Sequence, residues 1–483
     1  MFTFRGNIRV PAIFAVLLLA FCLGCASPAP TEAAVSPAPV VLVSNTNPPS
    51  ASPVSTPEPA LRYIFLFIGD GMGPAQVQAA NEALLSAGRE PLCFLDFPVI
   101  GTAHTNNAEG KVTDSAAAAT AISTGQKTEN GYLGLDSEGN RLTTIAEALR
   151  DEGFGIGILT TVSLDHATPA GFYAHVPSRR SYAMIADDLF ASGFDFFAGG
   201  GFHETPDAEE YAAENGYSII HSPKDVPDGS KSGLIVSSNL IFGDYGVLPA
   251  IDGGARSGFL KDCTALSISR LSQKNRFFMM VEGGRIDYFC HYNDAASFVA
   301  ELFDMNDAVS QAILFYRQHP NETLILVTAD HETGNVSLSS GDRTALLKQT
   351  ISSDICDDTL VAECVSAQTP FAEALPKFTA AFGLENLTAE ETDFLKAAYG
   401  HTLKGDLSSS KSNEEYGVYE PITSACAKLV ASRAGLSFGS GSHSSTPVSV
   451  YATGLGSEFF AGDYENTNLH DAILAALAAY PTK

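Results

Sequence analysis

Short apolar runs that stop at a glycine or an acidic residue recur along this chain. A buried strand reads as a run of branched and aromatic residues bounded by turn signals. Tyr63-Ile64-Phe65-Leu66-Phe67-Ile68 is such a run, and it ends in Gly69-Asp70-Gly71-Met72-Gly73. Phe277-Phe278-Met279-Met280-Val281 ends in Glu282-Gly283-Gly284, and Leu324-Ile325-Leu326-Val327 ends in Thr328-Ala329-Asp330-His331. Between such runs the apolar spacing becomes helical. Thr143 to Glu152 is helix-like ahead of the run Gly155 to Leu159. Tyr182, Ile185 and Leu189 share a helical face ahead of a strand at Phe194 to Ala198. Leu302, Met305, Val309, Ile313 and Tyr316 keep helical spacing ahead of the Leu324 run, and a last helix around Leu469 to Leu477 is expected to pack on the sheet. Alternating strands and helices predict an α/β fold with a mostly parallel central sheet and helices on both faces.

The stretch between His331 and His443 breaks this rhythm. It is polar and loop-rich, then helical in composition from Thr388 to Tyr399. The expectation is an inserted subdomain at about 336–438, near the site entrance, within a main domain at 61–483. Residues 1–25 read as an export signal, with Arg5 and Arg9 ahead of the apolar run Val10 to Leu23. That run is shorter than the roughly 20 residues of a membrane span. Gly24-Cys25-Ala26-Ser27 resembles a lipoprotein cleavage site, with Cys25 as the lipid-bearing residue, although Cys22 stands where an aliphatic residue is usual; cleavage without lipidation near Ala26 is the other reading. Residues 26–60, rich in Pro, Ser, Ala and Thr, are expected to be a flexible linker. Together these predict an exported protein of the cell envelope, periplasmic or extracellular, that meets a membrane only through Cys25.

Charge narrows the function. With 28 Lys+Arg against 55 Asp+Glu the net charge is -27, which disfavours a nucleic-acid partner. Cys22 and Cys25 fall in the leader, leaving Cys93, Cys263, Cys290, Cys356, Cys364 and Cys426. Export permits disulfides, and Cys356 with Cys364 would close a short loop. No C-x-x-C pair follows the leader, so a zinc-thiolate site is not expected.

The chemistry sits where the strands end. In open α/β sheets ligands bind beyond the carboxyl ends of the strands, so three strands deliver Asp70, Glu282, Asp330 and His331 to one sheet edge. Asp287 and His291, four residues apart, project from one helical face. Carboxylate with imidazole suits Zn²⁺, and carboxylate with hydroxyl suits Mg²⁺. Lys111-Val112-Thr113-Asp114-Ser115 leads into the alanine-rich helix former Ala116 to Ala121. Ser115 therefore starts a helix, where free N–H groups and the helix dipole favour an anion. Locally this is also what an ordinary capping serine looks like; the metal ligands give it chemical meaning. Gly199-Gly200-Gly201 follows a strand but lacks the Lys-Ser/Thr of a phosphate loop, and reads as a plain turn.

Taken together, "IGDGMG", "VTDSAAAATAISTGQKTENGYLG", "DHATPAGFYAHVPSR", "FFMMVEGGRID" with His291, "VTADHETGN" and "SGSHSSTPVSVYA" resemble the alkaline phosphatase family. They run in the family's order from Ile68 to Ala452. The resemblance implies hydrolysis of small phosphomonoesters, two Zn²⁺ and one Mg²⁺, and a homodimer. Ser115 would carry a phosphoseryl intermediate and Arg179 would fork onto phosphate. Asp287, His291 and His443 would hold the first zinc, and Asp70, Asp330 and His331 the second. Asp70, Thr168 and Glu282 would hold magnesium. Three positions depart from the common pattern. His166 stands near the magnesium site where others carry Asp or His, Tyr288 replaces Lys, His or Trp, and Ser444-Ser445-Thr446 follow His443 where Thr-Gly is common. Glu332 is expected to support the site or the fold, Arg180 to be solvated, and Phe289 and Tyr292 to pack the helix. Activity is expected to rise into the alkaline range. Other readings are a phosphodiesterase or sulfatase of the same superfamily, and a catalytically silent surface lipoprotein. Ser115 lies in D-S-A-A-A rather than a C/S-x-P-x-R context, and no ligand is missing, which disfavours the sulfatase and the silent protein.

Overall fold

The computed structural model describes residues 58–203, 205, 207–226, 233–238, 241–242, 246–253, 258–405 and 420–482. The export-signal, Cys25 and linker expectations up to residue 57 fall outside the described residues. Ten strands make the central sheet: β1 (Tyr63–Gly69), β2 (Val99–His104), β3 (Gly155–Thr160), β4 (Phe196–Gly199), β5 (Tyr217–Ile220), β6 (Gly233–Ser237), β7 (Phe277–Gly283), β8 (Thr323–Ala329), β9 (Val448–Gly454) and β10 (Gly462–Glu465). Their spatial order is β10-β2-β9-β8-β1-β7-β3-β4-β6-β5. Every neighbouring pair is parallel except the two made by β9, which runs against both β8 and β2. The α/β reading with helices on both faces is the observed architecture.

The three runs that opened the sequence reading are the central strands. All seven residues of β1, β7 and β8 are buried, as expected for parallel strands covered on both faces. Register aligns their ends: Gly69 lies opposite both Gly283 and Ala329, and Glu282 is level with Ile68 and Thr160. The acidic residues at or just past those ends are thus brought level across the sheet.

The helix Ala295–Tyr316 covers this centre. Asp294 caps it by accepting from Ser297 N at 3.1 Å. Leu302, Met305 and Val309 face inward and are buried. Phe315 meets Phe65 nearly edge-on at 5.9 Å between ring centroids, a favoured aromatic geometry. The helix Asn468–Ala479 packs on the helix Ser115–Thr124 and against the edge strand β10 of the sheet. Among the described residues no helix is long and apolar enough to cross a membrane.

The inserted stretch opens and closes on one antiparallel ribbon, Val336–Leu338 against Leu436–Phe438. The helix expected from Thr388 is there, Ala389–Lys404, and the interior is helical also where loops were expected: Ser353–Cys356, Ala362–Ala367, Phe371–Ala381 and Pro421–Arg433. Ser353–Cys356 and Ala362–Ala367 are joined by the π-helical Asp357–Val361 into one helical run, and that wider turn breaks the 3.6-residue apolar period, which is why it read as loop. A Cys356–Cys364 link, which would close a short loop, is absent as well. All six cysteines of the domain are free thiols, with Cys356 and Cys364 buried in separate helical turns.

Candidate active site

Each strand end turns sharply into the site. After β1 the chain turns through Gly71 at φ +70, where a Cβ would lie 2.8 Å from Asp287 Oδ1. Only glycine combines that backbone with that closeness. Gly71 N–H donates to Asp330 Oδ1 at 3.1 Å, tying the β1 turn to the end of β8. The helix Arg285–His291 follows β7 and carries Asp287 and His291 on one face, with Asp287 Oδ2 3.0 Å from His291 Nε2. His443 comes from a two-residue ribbon, in which Thr333 pairs with His443 and Glu332 with Ser444.

Three clusters result in which every ligand atom lies within 4.8 Å of the others: Asp287 with His291 and His443, Asp70 with Asp287 and His331, and Asp70 with His166 and Glu282. Asp330 joins the second through Oδ2, 3.3 Å from His331 Nε2. Thr168 joins the third by donating to Asp70 Oδ2 at 3.2 Å. The nominated ligands are therefore gathered at one place, and His166 is gathered with them.

The histidines are set by the groups behind them. Thr333 Oγ1 donates to Asp287 Oδ1, so at His331 it accepts from Nδ1–H, 3.2 Å away. The lone pair of His331 Nε2 then faces the site. His291 Nδ1 donates to the Gly441 carbonyl at 2.8 Å and His443 Nδ1 to the Thr113 carbonyl at 2.9 Å. All three imidazoles thereby turn Nε2 inward, the usual way a ligating histidine is oriented.

Ser115 is the first residue of the helix Ser115–Thr124, and its Oγ lies 3.3 Å from His331 Nε2. Asp114 caps that helix, accepting from Ala117 N at 3.0 Å and Gly131 N at 3.1 Å. The same carboxylate takes Arg179 Nη1 at 3.2 Å. Arg179 Nη2 donates to His166 Nε2 at 3.2 Å, so His166 must be neutral there. Burial and then the Arg179 charge push its imidazole down to about 3. The Tyr288 ring stands edge-on to His166, 6.0 Å between centroids, and the buried Arg285 guanidinium lies 5.7 Å from that ring. Arg285 in turn pairs with Asp354 of the insert at 3.1 Å.

The electrostatics call for cations. Burial, then Asp330, Asp287 and Glu282, hold the Asp70 carboxyl well above the usual range. Burial pushes Glu282 up to about 8 and, with Asp287, Asp330 up to about 7. Asp287 is the exception: burial opposes its charge, yet His291 and His443 hold it well below the usual range. For His443 burial disfavours the cation, but Asp287 outweighs it and pushes the imidazole up to about 9. Asp70 Oδ1, Glu282 Oε1, Asp330 Oδ2 and His166 Nδ1 are buried without a hydrogen-bond partner. Buried charge in this density is stable only when neutralised or bound to metal. Oxygen and imidazole donors without thiolate fit hard and borderline divalent ions.

Sequence reading missed Asp114, Thr160, Thr333 and the two carbonyls. Thr333 was findable, since residues two apart on an extended segment share a side. Asp114 carried the N-cap signature. Thr160, which donates to Glu282 Oε2 from the end of β3, and the carbonyls of Thr113 and Gly441 have no local mark. Of the supporting positions, Arg180 is exposed, Phe289 is buried and Tyr292 half-buried. Gly200 N donates to Val162 O at 2.8 Å, so the glycine run is a bracing turn.

A serine at a helix start facing buried carboxylate–imidazole clusters defines a metal-dependent hydrolase. A family model described as alkaline phosphatase matches residues 61–195 and 240–479. Alkaline phosphatase 3 of Bacillus subtilis (strain 168) is 29% identical over 435 residues, covering 86% of this chain and 89% of its own. The cold-active alkaline phosphatase of the psychrophile Shewanella sp. superposes with a TM-score of 0.73 at 27% identity, over 86% of this chain and 99% of that one. A histidine-to-glutamate mutant of TAB5 alkaline phosphatase, with Mg bound in its M3 site, superposes with a TM-score of 0.62 at 26% identity, over 87% and 99%. The chain belongs to the alkaline phosphatase family.

Proposed function

We propose that this chain hydrolyses phosphate monoesters to alcohol and inorganic phosphate through a phosphoseryl intermediate on Ser115. The observation that carries the reading is the shared carboxylate of Asp114. It caps the nucleophile's helix and holds Arg179, so nucleophile and phosphate clamp are set by one group. A guanidinium has five N–H groups, and Arg179 gives two to Asp114 and His166, which leaves donors for phosphate oxygens. Ser115 Oγ attacks phosphorus, the bond to the ester oxygen breaks, and the alcohol leaves with a proton. Water then attacks the phosphoserine, releasing phosphate and restoring Ser115. The free N–H groups at the helix start stabilise the charge that develops beside Ser115.

The donor sets support two zinc ions and one magnesium. Asp287, His291 and His443 would hold one zinc and Asp70, Asp330 and His331 the other; Asp70, Thr168 and Glu282 would hold magnesium, with His166 beside them. Bound there, the ions would supply Lewis-acid polarisation and neutralise the carboxylates. The magnesium in the M3 site of the TAB5 mutant supports a magnesium site in this chain as well.

The test compares release of nitrophenol from p-nitrophenyl phosphate, bis(p-nitrophenyl) phosphate and nitrophenyl sulfate, with Ser115→Ala alongside. Monoester turnover that EDTA abolishes and Ser115→Ala cripples is the expected result. Preference for the diester or the sulfate overturns the substrate reading.

A further inference from the structure

His443 sits in an awkward place for a metal ligand. The backbone around it is exposed: Gly441, Ser442, Ser445 and Thr446 face solvent, and only His443 and Ser444 are half-buried. Its ribbon is two residues long, and so short a pairing is not stable by itself. The Thr113 carbonyl aims the imidazole, but a further anchor must hold the short backbone segment that carries it where Asp287 and His291 need it.

The buried carboxylate of Glu332 does this. Glu332 is 2% exposed and directly follows His331. Its Oε1 accepts from Gln76 Nε2 at 2.9 Å and Val336 N at 3.1 Å. Its Oε2 accepts from Asn335 N at 3.2 Å and from the Ser444 hydroxyl. The carboxylate is itself immobile, since Gln76 also bonds the Thr333 carbonyl at 2.7 Å and a Cβ on Gly73 would lie 2.2 Å from Glu332 Cγ. Ser444 Oγ in turn accepts from Thr446 N at 3.2 Å, so one hydroxyl organises the exposed turn after His443.

We infer that Glu332 and Ser444 are positioning residues for His443, and that retention of the metal at the Asp287–His291–His443 cluster depends on the hydroxyl they share. The inference rests on the zinc assignment proposed above. It concerns neither phosphate binding nor the nucleophile. Supporting partners of metal ligands typically change metal affinity by about 10- to 100-fold. A serine at 444 suffices, and so would a threonine, because only the γ-oxygen reaches Glu332.

The experiment uses the whole chain loaded with zinc and magnesium. Zinc release to a chromophoric chelator is timed for wild type, Ser444→Ala, Ser444→Thr and Glu332→Gln, with zinc per chain counted by elemental analysis. Ser444→Ala is expected to lose one zinc about tenfold faster, with the other zinc unchanged and Ser444→Thr close to wild type. Glu332→Gln, whose amide N–H would face two of the four donors, is expected to behave as Ser444→Ala does, and adding Ser444→Ala to it should change little. Should Ser444→Ala fail to fold, Ser444→Thr and Glu332→Gln still decide the matter. Equal release from wild type and Ser444→Ala, or release from Ser444→Thr as fast as from Ser444→Ala, overturns the inference. A wild-type chain that holds no zinc overturns the zinc assignment beneath it, a different and separable result.

Discussion

The site has two sides, built in different ways. On the inner side Asp70, Glu282, Asp330 and His331 stand at or just past the ends of parallel strands and are fully buried. On the outer side the His291 and His443 side chains keep 29% and 16% of their surface. They are oriented by carbonyls of turns rather than by strand register. The inner side is over-supplied with negative charge, and its carboxyls are pushed up. On the outer side Asp287 meets two histidines, and it is the imidazoles that are pushed up. Rigid strand ends can crowd like charges because the sheet forbids them to move apart. A turn must instead balance its charges locally.

Breaking the chemistry that both sides serve should cost most. Ser115→Ala is expected to lower kcat on p-nitrophenyl phosphate by about a thousandfold or more, while zinc content by elemental analysis stays at the wild-type value. Next comes the clamp. Arg179→Lys keeps the charge but loses the fork, and KM is expected to rise about tenfold with a smaller change in kcat, read from steady-state kinetics.

The contrast between the sides should also appear as a pH dependence of stability. In the chelated protein Glu282 (about 8) and Asp330 (about 7) hold protons that the unfolded chain has already lost, and His443 (about 9) holds one above the usual histidine range. The folded state therefore binds more protons than the unfolded one, and stability falls as pH rises. The melting temperature of chelated protein is expected to drop from pH 7 to pH 9, above the range in which His166 and His331, held neutral, work the other way. Metal-loaded protein should show the opposite trend, because the ions compete with those protons. A smaller effect isolates the inner side: Glu282→Gln removes a carboxyl that becomes charged only above about pH 8 and is expected to raise the chelated melting temperature at pH 9 by about 2–4 °C, while weakening magnesium binding in a titration. The smallest lies away from both sides. Thr388 caps the helix Ala389–Lys404 in a reciprocal capping box with Glu391, and Thr388→Ala should cost about 1 kcal/mol in denaturant unfolding, with turnover unchanged.

The inner side was legible in the sequence because strands buried on both faces write themselves as unbroken apolar runs. The residue after such a run is then placed by register. Asp70, Glu282, Asp330 and His331 could be nominated that way, and Asp287 with His291 by helical spacing. His443 could be named only through resemblance, since a two-residue ribbon leaves no periodic trace. The groups that aim the imidazoles were harder still. Two are backbone carbonyls, which every residue has. The first helical run of the insert failed for a related reason: its π-helical middle, Asp357–Val361, shifts the buried positions out of the 3.6-residue period.

The antiparallel strand β9 adds one consequence in time. It begins at Val448, shortly after His443, and slots between β8 and β2, so the ribbon is held only once this strand has joined the sheet. His443 and the carbonyl of Thr113 that aims it are 330 residues apart in sequence. A nascent chain that lacks this strand carries every residue of the inner side, while His443 has no sheet behind its ribbon. On the zinc assignment proposed above, loading of the outer cluster would be a late event, coupled to completion of the sheet and not to the folding of any one segment.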